Sequence, residues 1–380
     1  MKVVVAIDSL KGSLSSLEAG EAIAEGIRRA DPDNEVTVRP LADGGEGTVE
    51  ALVCGMGGTI ECVTVTGPLG KPVKATYGII REKQLAILEM AQAAGITLVP
   101  VDERNPLRTT TYGVGELIRD AIQKGCRRFL VGIGGSATND GGVGMLQALG
   151  YKFLTEEGEE IAYGAAGLEK LRRIRTDGAL PELAACEFRV ACDVTNPLCG
   201  EKGCSAIYGP QKGADQEMIR QMDGWLAEYA GLVCKVFDQA DPRYPGSGAA
   251  GGMGFAFRSF LGGVLESGIR IVLEETGLED VIREADVVIT GEGRLDGQTA
   301  MGKAPVGVAG LAKKYEKPVF GFAGSVTKDA IACNQCGIDA FFPILRRICT
   351  LEEAMEPETA KANLTETAEQ VFRLLAVGMH

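Results

Sequence analysis

The feature that most constrains the fold is a strand, helix and strand pattern near the start of the sequence. Residues 2–8 (KVVVAID) form an apolar, β-branched run that ends in a polar stretch, which predicts a buried strand. Ser15 and Glu18 have the spacing of a helix-capping box, and a second strand is predicted at residues 35–39. This order indicates a parallel βαβ unit, in which ligands bind at the loops beyond the carboxyl ends of the strands. The loops expected to face a ligand are residues 9–13 and 42–48.

The C-terminal part of the sequence repeats this pattern, whereas the middle does not. Apolar runs separated by helical periodicity predict further strands at residues 286–290, 318–323 and 339–345. In the middle, residues 73–80 and 85–90 are two short strands with a polar turn between them, which indicates an antiparallel hairpin. We therefore expect an α/β protein in which a second domain, residues 65–265, is inserted into a first domain formed by residues 1–64 and 266–380.

Charge and hydropathy exclude several classes of partner. The chain has 39 basic and 52 acidic residues and a formal charge of −13, which repels nucleic acid and anionic membranes. Its apolar runs stop after a few residues, well short of the ~20 that a membrane span needs. We therefore expect a cytoplasmic protein that acts on small molecules, and the sequence leaves open whether it forms a homo-oligomer.

Cysteine and histidine restrict the chemistry. The 11 cysteines lie mostly in apolar contexts and are expected to be reduced, buried side chains. Cys333 and Cys336 have CxxC spacing, but no second CxxC completes a zinc site. The only histidine is His380, where chains usually fray, so we expect no catalytic role for it. Proton transfer must then fall to Asp, Glu, Lys, Tyr or Cys, and hydrolysis by a Ser-His-Asp triad is excluded.

Glycine-rich polar loops are the main indication of chemistry. Glycine makes up 52 of 380 residues, roughly twice the ~7% average, and it is concentrated in polar loops, most of which follow a predicted strand. Glycine lets main-chain N–H groups approach an anion closely, and a following helix adds its positive end. Together these loops predict a concave anion site. Its candidate residues in the loops are Ser9, Lys11, Asp43, Gly44, Gly45, Glu46, Gly47, Thr48, Gly134, Gly135, Ser136, Thr138, Asn139, Asp140, Gly291, Glu292, Gly293, Arg294 and Asp296.

Further carboxylates and a lysine are candidates for the same site. Mg²⁺ binds one or two carboxylates and keeps several waters. Its candidate ligands in the sequence are Asp43, Asp140, Asp193 and Asp296. Asp193 follows a predicted apolar strand at residues 188–192, which suits a carboxylate projected into a site, although Asp also caps turns. Lys212 lies in GPQKGA at residues 209–214, where a solvated turn is the alternative.

Two familiar nucleotide patterns are weaker than they first look. Residues 132–137 (GIGGSA) match the GxGxxA pattern of dinucleotide-binding dehydrogenases, but the polar residues that follow prolong the loop where a helix should begin. Residues 297–304 (GQTAMGKA) approach the P-loop pattern, but Ala304 stands where Mg²⁺ needs a hydroxyl group. Lys303, immediately before, is still expected to face an anion at a helix start.

At these loops the sequence resembles the bacterial glycerate kinase family, class I type, and the resemblance covers essentially the whole chain. The segments that carry it are DSLKGSLS at 8–15, PLADGGEGT at 40–48, TGPLG at 66–70, IGGSATNDGG at 133–142, CDVTNPL at 192–198, GPQKGA at 209–214, GAAGGMG at 248–254 and VITGEGRLDGQTAMGKAP at 288–305.

The resemblance implies that the chain phosphorylates D-glycerate with ATP and Mg²⁺, giving 2-phosphoglycerate, with 3-phosphoglycerate as the alternative product. It also implies a discontinuous Rossmann-like or flavodoxin-like parallel-sheet domain, an inserted α/β domain of mixed sheet, and an active site in the cleft between them. We assign the role of base or Mg²⁺ ligand to Asp193 first and Asp296 second. Lys11, Lys212 and Arg294 would stabilise the transferring phosphate or hold the glycerate carboxylate. Asn196 and the glycine loops would supply hydrogen-bond donors.

Two other functions stay open at this stage. An NAD-dependent 2-hydroxyacid dehydrogenase is supported by GIGGSA alone and weakened by the lack of a usable histidine. A non-catalytic sugar-acid or nucleotide sensor would keep the pockets without turnover. The sequence also leaves open which loops bind ATP and which bind glycerate.

Overall fold

The computed structural model describes residues 1–42, 44–45 and 47–378. Its backbone separates into two units. Unit 1 consists of Met1–Asp43, Glu50–Met56 and Ile269–His380, and unit 2 consists of Gly44–Val49 and Gly57–Gly268. The domain limits near residues 65 and 265 stay a prediction from the sequence.

The described residues form an α/β structure with one parallel sheet, one mixed sheet and one small two-stranded sheet. Their strands are β1 Lys2–Ile7, β2 Glu35–Val38, β3 Thr59–Thr66, β4 Pro72–Ile80, β5 Leu85–Glu89, β6 Arg128–Gly132, β7 Lys152–Leu154, β8 Arg173–Arg175, β9 Glu187–Ala191, β10 Val264–Glu266, β11 Val287–Leu295, β12 Val319–Val326 and β13 Ala340–Pro343. Their α-helices are α1 Ser16–Ala30, α2 Thr48–Met56, α3 Ala91–Ala94, α4 Tyr112–Gln123, α5 Val143–Ala148, α6 Cys204–Tyr208, α7 Gln216–Val233, α8 Ala249–Leu261, α9 Gly268–Glu275, α10 Leu278–Glu284, α11 Ala304–Lys313, α12 Ala332–Gln335, α13 Leu351–Met355 and α14 Pro357–Gly378.

Unit 1 is built on a parallel sheet with strand order β13-β12-β11-β1-β2. The predicted βαβ unit is confirmed: β1 and β2 pair in parallel and are joined by α1. The side chain of Ser15 accepts a hydrogen bond from the backbone N–H of Glu18, and the Glu18 carboxylate accepts one from Ser15 in return, so the predicted capping box starts α1. Apolar residues of β1, α1 and α14 form one buried core, which covers a face of the sheet.

Strand β11 is longer than the sequence predicts. We expected a strand at residues 286–290 followed by a loop, but β11 continues to Leu295 and pairs in parallel with β12 through Val326. Glycine makes this extension possible, because a Cβ at Gly291 would overlap the carbonyl oxygen of Phe322 on β12. Residues predicted to lie in a loop therefore project from a paired strand.

Unit 2 is built on a mixed sheet with strand order β10-β9-β6-β5-β4-β3. Strands β5, β6, β9 and β10 are parallel, whereas β3, β4 and β5 are joined as antiparallel neighbours, which confirms the predicted hairpin. After β6, the next helix, α5, begins only at Val143, so the long loop predicted to follow GIGG is present. A second, two-stranded sheet pairs β7 with β8.

All eleven cysteine side chains are free thiols, but only Cys126, Cys204 and Cys333 are buried, so the expectation that the cysteines are buried was wrong for most of them. Across the described ranges of the chain, no helix combines the length and the apolar character needed to cross a lipid bilayer.

Candidate active site

In unit 1, the candidate residues of two adjacent strands come together at the carboxyl edge of the sheet. Ile7 of β1 lies opposite Gly291 of β11, and the backbone N–H of Asp8 donates to the Gly291 carbonyl at 2.9 Å. Gly293 packs on the turn that follows β1, because a Cβ at this position would lie 3.5 Å from both the Leu10 Cα and the Lys11 backbone nitrogen. The structure therefore places the loop at residues 9–13 beside the polar end of β11.

Glu292 is the most buried carboxylate among the predicted site residues at this edge. Its Oε1 accepts a hydrogen bond from the Thr299 hydroxyl at 2.6 Å, and its Oε2 lies 3.9 Å from the Lys303 Nζ. Burial raises the pKa of Glu292, and the neighbouring Asp296 raises it further. The Thr299 hydrogen bond and the positive charges of Lys303 and Lys11 act in the opposite direction. Glu292 is thus a partly desolvated carboxylate with two lysines close enough to influence it.

Asp296 is partly committed to its own turn. Its Oδ1 accepts the backbone N–H groups of Gln298 at 2.9 Å and Thr299 at 3.2 Å, which stabilises the short helical turn before α11. Its Oδ2 lies 3.6 Å from the Nε of Arg294, whose side chain is 64% exposed. Arg294 is therefore accessible to an anion, while one oxygen of Asp296 serves as a turn cap.

Asp8 is a residue at this edge that the sequence reasoning left out of the site. It is 3% exposed, and its Oδ1 accepts the backbone N–H of Ser9 at 2.7 Å, which shapes the start of the 9–13 turn. Thr299, which links Glu292 and Asp296, was also missed. The available signal for Asp8 was a carboxylate at the end of a β-branched strand, the same signal that marked Asp193 in unit 2.

In unit 2, parallel strands bring a second set of candidates to one edge. Strands β5, β6 and β9 end at Glu89, Gly132 and Ala191, which lie opposite each other in register. Gly44, in the loop segment predicted at residues 42–48, lies on these ends. A Cβ at Gly44 would be 2.5 Å from the Cβ of Ala191, and the backbone of Gly44 is at φ +90°, so only glycine fits there without strain.

A buried glutamate fixes this segment. Glu89 is 5% exposed, and its Oε1 accepts the backbone N–H of Val49 at 2.8 Å, at the start of α2. Thr48 donates its hydroxyl hydrogen to the carbonyl of Gly45 at 2.7 Å. Glu89 was missed by the sequence reasoning, although a lone acid at the end of the apolar run in β5 was the available signal. Two predicted residues of this segment, Asp43 and Glu46, lie outside the described residues; Gly47 is half-buried beside Thr48.

Asp193 and Asn196 follow β9, at the same edge of the sheet. The Asp193 side chain is exposed, and its Oδ1 accepts the backbone N–H of Gly268 at 3.1 Å. The amide of Asn196 is used within the protein: its Nδ2 donates to the Lys202 carbonyl at 2.8 Å, and its Oδ1 accepts from the Tyr208 hydroxyl at 2.7 Å. Of this pair, Asp193 is the one whose side chain is exposed.

The glycine loop after β6 has an exposed tip and a buried stem. Gly134 and Gly135 are exposed, whereas the following residues, up to α5, are buried. Asp140 is 1% exposed and accepts four hydrogen bonds, from the backbone and hydroxyl groups of Thr111 and from the backbone N–H groups of Gly142 and Gly144. Because these groups start α4 and α5, the carboxylate ties two helix N-termini together.

The other polar residues of this loop also point inward. The Asn139 Nδ2 donates to the Ser205 hydroxyl at 2.8 Å, and Lys212 donates from its Nζ to the Ser136 hydroxyl at 2.8 Å and to the Thr138 carbonyl at 2.6 Å. Lys212 is 2% exposed, and burial lowers its pKa to about 8. Sequence reasoning offered a ligand clamp or a solvated turn for Lys212, and the structure shows a buried lysine instead.

The described residues contain no group of three or more His, Cys, Asp or Glu side chains that could hold a metal ion by themselves. This donor set is compatible with Mg²⁺ bound together with phosphate, because Mg²⁺ commonly takes one or two carboxylates and completes its shell with phosphate oxygens and water. Asp193 and Asp296, each at the carboxyl end of a parallel strand, fit that limited role.

Comparisons with known proteins give one consistent picture. Residues 3–376 match the sequence model of the glycerate kinase family. The chain is 48% identical to a glycerate 2-kinase of Escherichia coli (strain K12), over 100% of this chain and 99% of the relative. It is 48% identical to a glycerate kinase of Bacillus subtilis (strain 168), over 94% of this chain and 93% of the relative. A crystal structure from Salmonella typhimurium LT2 that carries the name glycerate kinase 2 matches with a TM-score of 0.92 and 49% identity, covering 100% of this chain and 99% of the other.

Proposed function

The chain belongs to the glycerate kinase family, and we propose that it transfers the γ-phosphoryl group of ATP to D-glycerate in the presence of Mg²⁺, giving 2-phosphoglycerate. The observation that carries the proposal is full-length identity of nearly half to named glycerate kinases. The choice of the 2-phosphate product rests on the name of the E. coli relative.

The candidate residues support phosphoryl transfer on chemical grounds. This reaction needs positioning and charge stabilisation more than covalent catalysis. Unit 1 supplies Lys11, Arg294 and Lys303, of which Arg294 is largely exposed. Unit 2 supplies exposed glycine backbone at Gly134 and Gly135. Cationic side chains and backbone N–H groups are the two kinds of hydrogen-bond donor that bind phosphate oxygens most readily.

We assign the proton-accepting role to Asp193 first. Its carboxylate is exposed at a strand end, where it could accept the proton of the attacking hydroxyl group, although its Oδ1 also accepts the backbone N–H of Gly268; Asp296 is less exposed and caps a turn. Asp296 is the second choice. Either carboxylate could hold Mg²⁺, which when bound neutralises charge on the transferring phosphate. The active site in a cleft between two domains, and a cytoplasmic location, stay predictions.

The function is tested by incubating the purified protein with ATP, Mg²⁺ and D-glycerate, and separately with NAD and D-glycerate. We expect ADP release that depends on D-glycerate, and phosphorus NMR should show the phosphate on the 2-position. Reduction of NAD in place of ADP release would support a dehydrogenase, and ligand binding with no turnover would support a sensor. Both outcomes would remove the kinase proposal.

The role of Asp193 is tested by Asp193→Asn. Loss of an acid–base group usually lowers turnover by about 10² to 10⁴, and we expect a loss in that range. Asp238→Asn, which removes an exposed carboxylate elsewhere in unit 2, is the matched control and should leave turnover unchanged. Turnover of Asp193→Asn within about tenfold of the wild type would move the role to another group.

A further inference from the structure

Lys212 is an unusual residue, because a lysine ammonium group is rarely buried without a carboxylate partner. It lies at the end of the 3₁₀ turn Pro210–Lys212 and is 2% exposed. Its Nζ donates to the Ser136 hydroxyl at 2.8 Å and to the Thr138 carbonyl at 2.6 Å, both on the glycine loop after β6. Burying this charge costs free energy, so its retention needs a reason other than stability.

The two acceptors of Lys212 define the shape of the glycine loop. Ser136 directly follows the exposed Gly134 and Gly135 and begins the buried stem, and Thr138 lies two residues further along that stem. The carbonyl of Gly135 accepts the backbone N–H of Ile96 at 2.8 Å, which fixes the other side of the tip. Lys212 therefore supports the loop through hydrogen bonds to the residues that come immediately after its exposed tip.

The exposed tip has unused hydrogen-bond donors. Among the described residues, the backbone N–H groups of Gly134 and Gly135 donate to no protein acceptor. A pair of exposed backbone N–H groups on glycine is suited to an oxyanion, since no side chain blocks its approach. A positive charge buried beneath such a pair acts through a low dielectric and favours an anion above it.

The charges around the ammonium group are consistent with this arrangement. Burial lowers the pKa of Lys212 to about 8, and the carboxylate of Asp140 in the same loop acts in the opposite direction. Asp140 forms no ion pair with Lys212; its four hydrogen bonds go to Thr111, Gly142 and Gly144. The positive charge beneath the tip is thus not neutralised by a contacting carboxylate.

We propose that Lys212 is a positioning residue, which holds the Gly134–Gly135 backbone in the shape that binds an oxyanion of the substrates without itself touching that anion. The anion is either a phosphoryl group of the nucleotide or the carboxylate of the hydroxy acid. This inference rests on the proposed kinase function for the identity of the two ligands. It changes the role of Lys212 from a ligand clamp to an internal support.

The test compares Lys212→Met with Lys235→Met. Methionine has a similar volume without charge, and Lys235 is an exposed lysine of the same unit, so both variants lose one positive charge. Binding of MgADP and of D-glycerate is measured separately by calorimetry, and kcat and KM are measured for both substrates. Hydrogen exchange of the amides at residues 133–140 reports on the shape of the loop.

For Lys212→Met we expect faster hydrogen exchange at the tip and a Kd about ten- to a hundredfold higher for one ligand, with a loss of kcat/KM of about 10². Weaker MgADP binding would identify a phosphoryl group as the anion, and weaker D-glycerate binding would identify the carboxylate. Lys235→Met should match the wild type in every measurement.

The proposal is overturned if folded Lys212→Met binds both ligands and turns over within threefold of Lys235→Met. If Lys212→Met does not fold, Ser136→Ala decides, because it removes one acceptor of Lys212 and keeps the charge. We expect it to lose about tenfold in kcat/KM, and a value within threefold of the wild type would overturn the proposal. If the wild type binds MgADP but does not phosphorylate D-glycerate, the kinase proposal fails. The proposal for Lys212 is still tested in that case, by comparing MgADP binding between Lys212→Met and Lys235→Met.

Discussion

The glycine loop of unit 2 and the polar end of β11 in unit 1 use charged residues in opposite ways. Asp140 of the glycine loop and Lys212, which donates hydrogen bonds to this loop, are both buried, and their hydrogen bonds are made inside the protein. At the end of β11, Arg294 is largely exposed, and its separation from Asp296 is 3.6 Å, longer than a good hydrogen bond. Buried charges here build a rigid backbone surface, and exposed charges form an adaptable one.

This difference has a chemical consequence for a kinase. Backbone N–H groups on a fixed loop can bind an anion without reorganisation, which is how preorganised donors stabilise charge. Long basic side chains such as Arg294 and Lys303 can follow a phosphate as it moves, at a cost in side-chain entropy. We therefore expect substitutions in the first region to affect folding as well as turnover, and substitutions in the second to affect turnover with little change in stability.

The largest expected effect is the loss of stability in Asp140→Ala. Four hydrogen-bond donations to a buried carboxylate would lose their acceptor, which should cost about 3 to 5 kcal/mol in the free energy of unfolding. Asp296→Ala removes a half-buried turn cap and should cost only about 1 kcal/mol. Urea unfolding followed by circular dichroism measures both losses of stability. The fluorescence of Trp225, the only tryptophan, reports on unit 2. Equal losses would remove the contrast between the regions.

A smaller effect, on turnover, is expected for Lys303→Met. The Lys303 ammonium lies 3.9 Å from Glu292 at the start of α11, where an anion would also meet the helix N-terminus. We expect kcat/KM for ATP to fall about ten- to a hundredfold, with stability changed by no more than about 0.5 kcal/mol. Lys314→Met, at the other end of the same helix, is the control and should retain activity. A stability loss as large as that of Asp140→Ala would show that Lys303 serves the fold.

The sequence predicted several local elements well, but it missed the extension of β11 and predicted the burial of polar side chains poorly. The βαβ unit, the antiparallel hairpin and the long loop after β6 follow from local periodicity, capping and glycine spacing, and the structure has all three. Whether Asp140 faces a ligand or the interior depends on Thr111, which is distant in the sequence. No local pattern carries that information.

Lys212 and Glu292 show the same limit. The inward orientation of Lys212 is set by Ser136 and Thr138, more than seventy residues earlier in the chain. Glu292 was placed in a loop because its neighbours are glycines, yet pairing with β12 keeps it in a strand. Glycine favours loops locally, but it also permits close packing of strands, and only the tertiary contacts decide between the two.

The smallest expected effect concerns the pH dependence of stability at Glu292. Burial raises the pKa of this carboxyl, so the folded state favours its protonated form. The stability that Glu292 contributes through this shift is complete below the ordinary pKa of 4.5 and is lost as the pH rises through the raised pKa. Glutamine resembles the protonated form, and Glu292→Gln should therefore raise the free energy of unfolding at pH 7 by no more than about 1 kcal/mol. The gain should shrink as the pH falls toward 4.5, whereas the control Glu316→Gln, at an exposed position of unit 1, should show no such trend. Urea unfolding at several pH values measures the difference between variant and wild type. If Glu292→Gln is less stable than the wild type at pH 7, the charged contacts of Glu292 to Lys303 and Lys11 outweigh its desolvation. The end of β11 would then resemble the buried stem of the glycine loop.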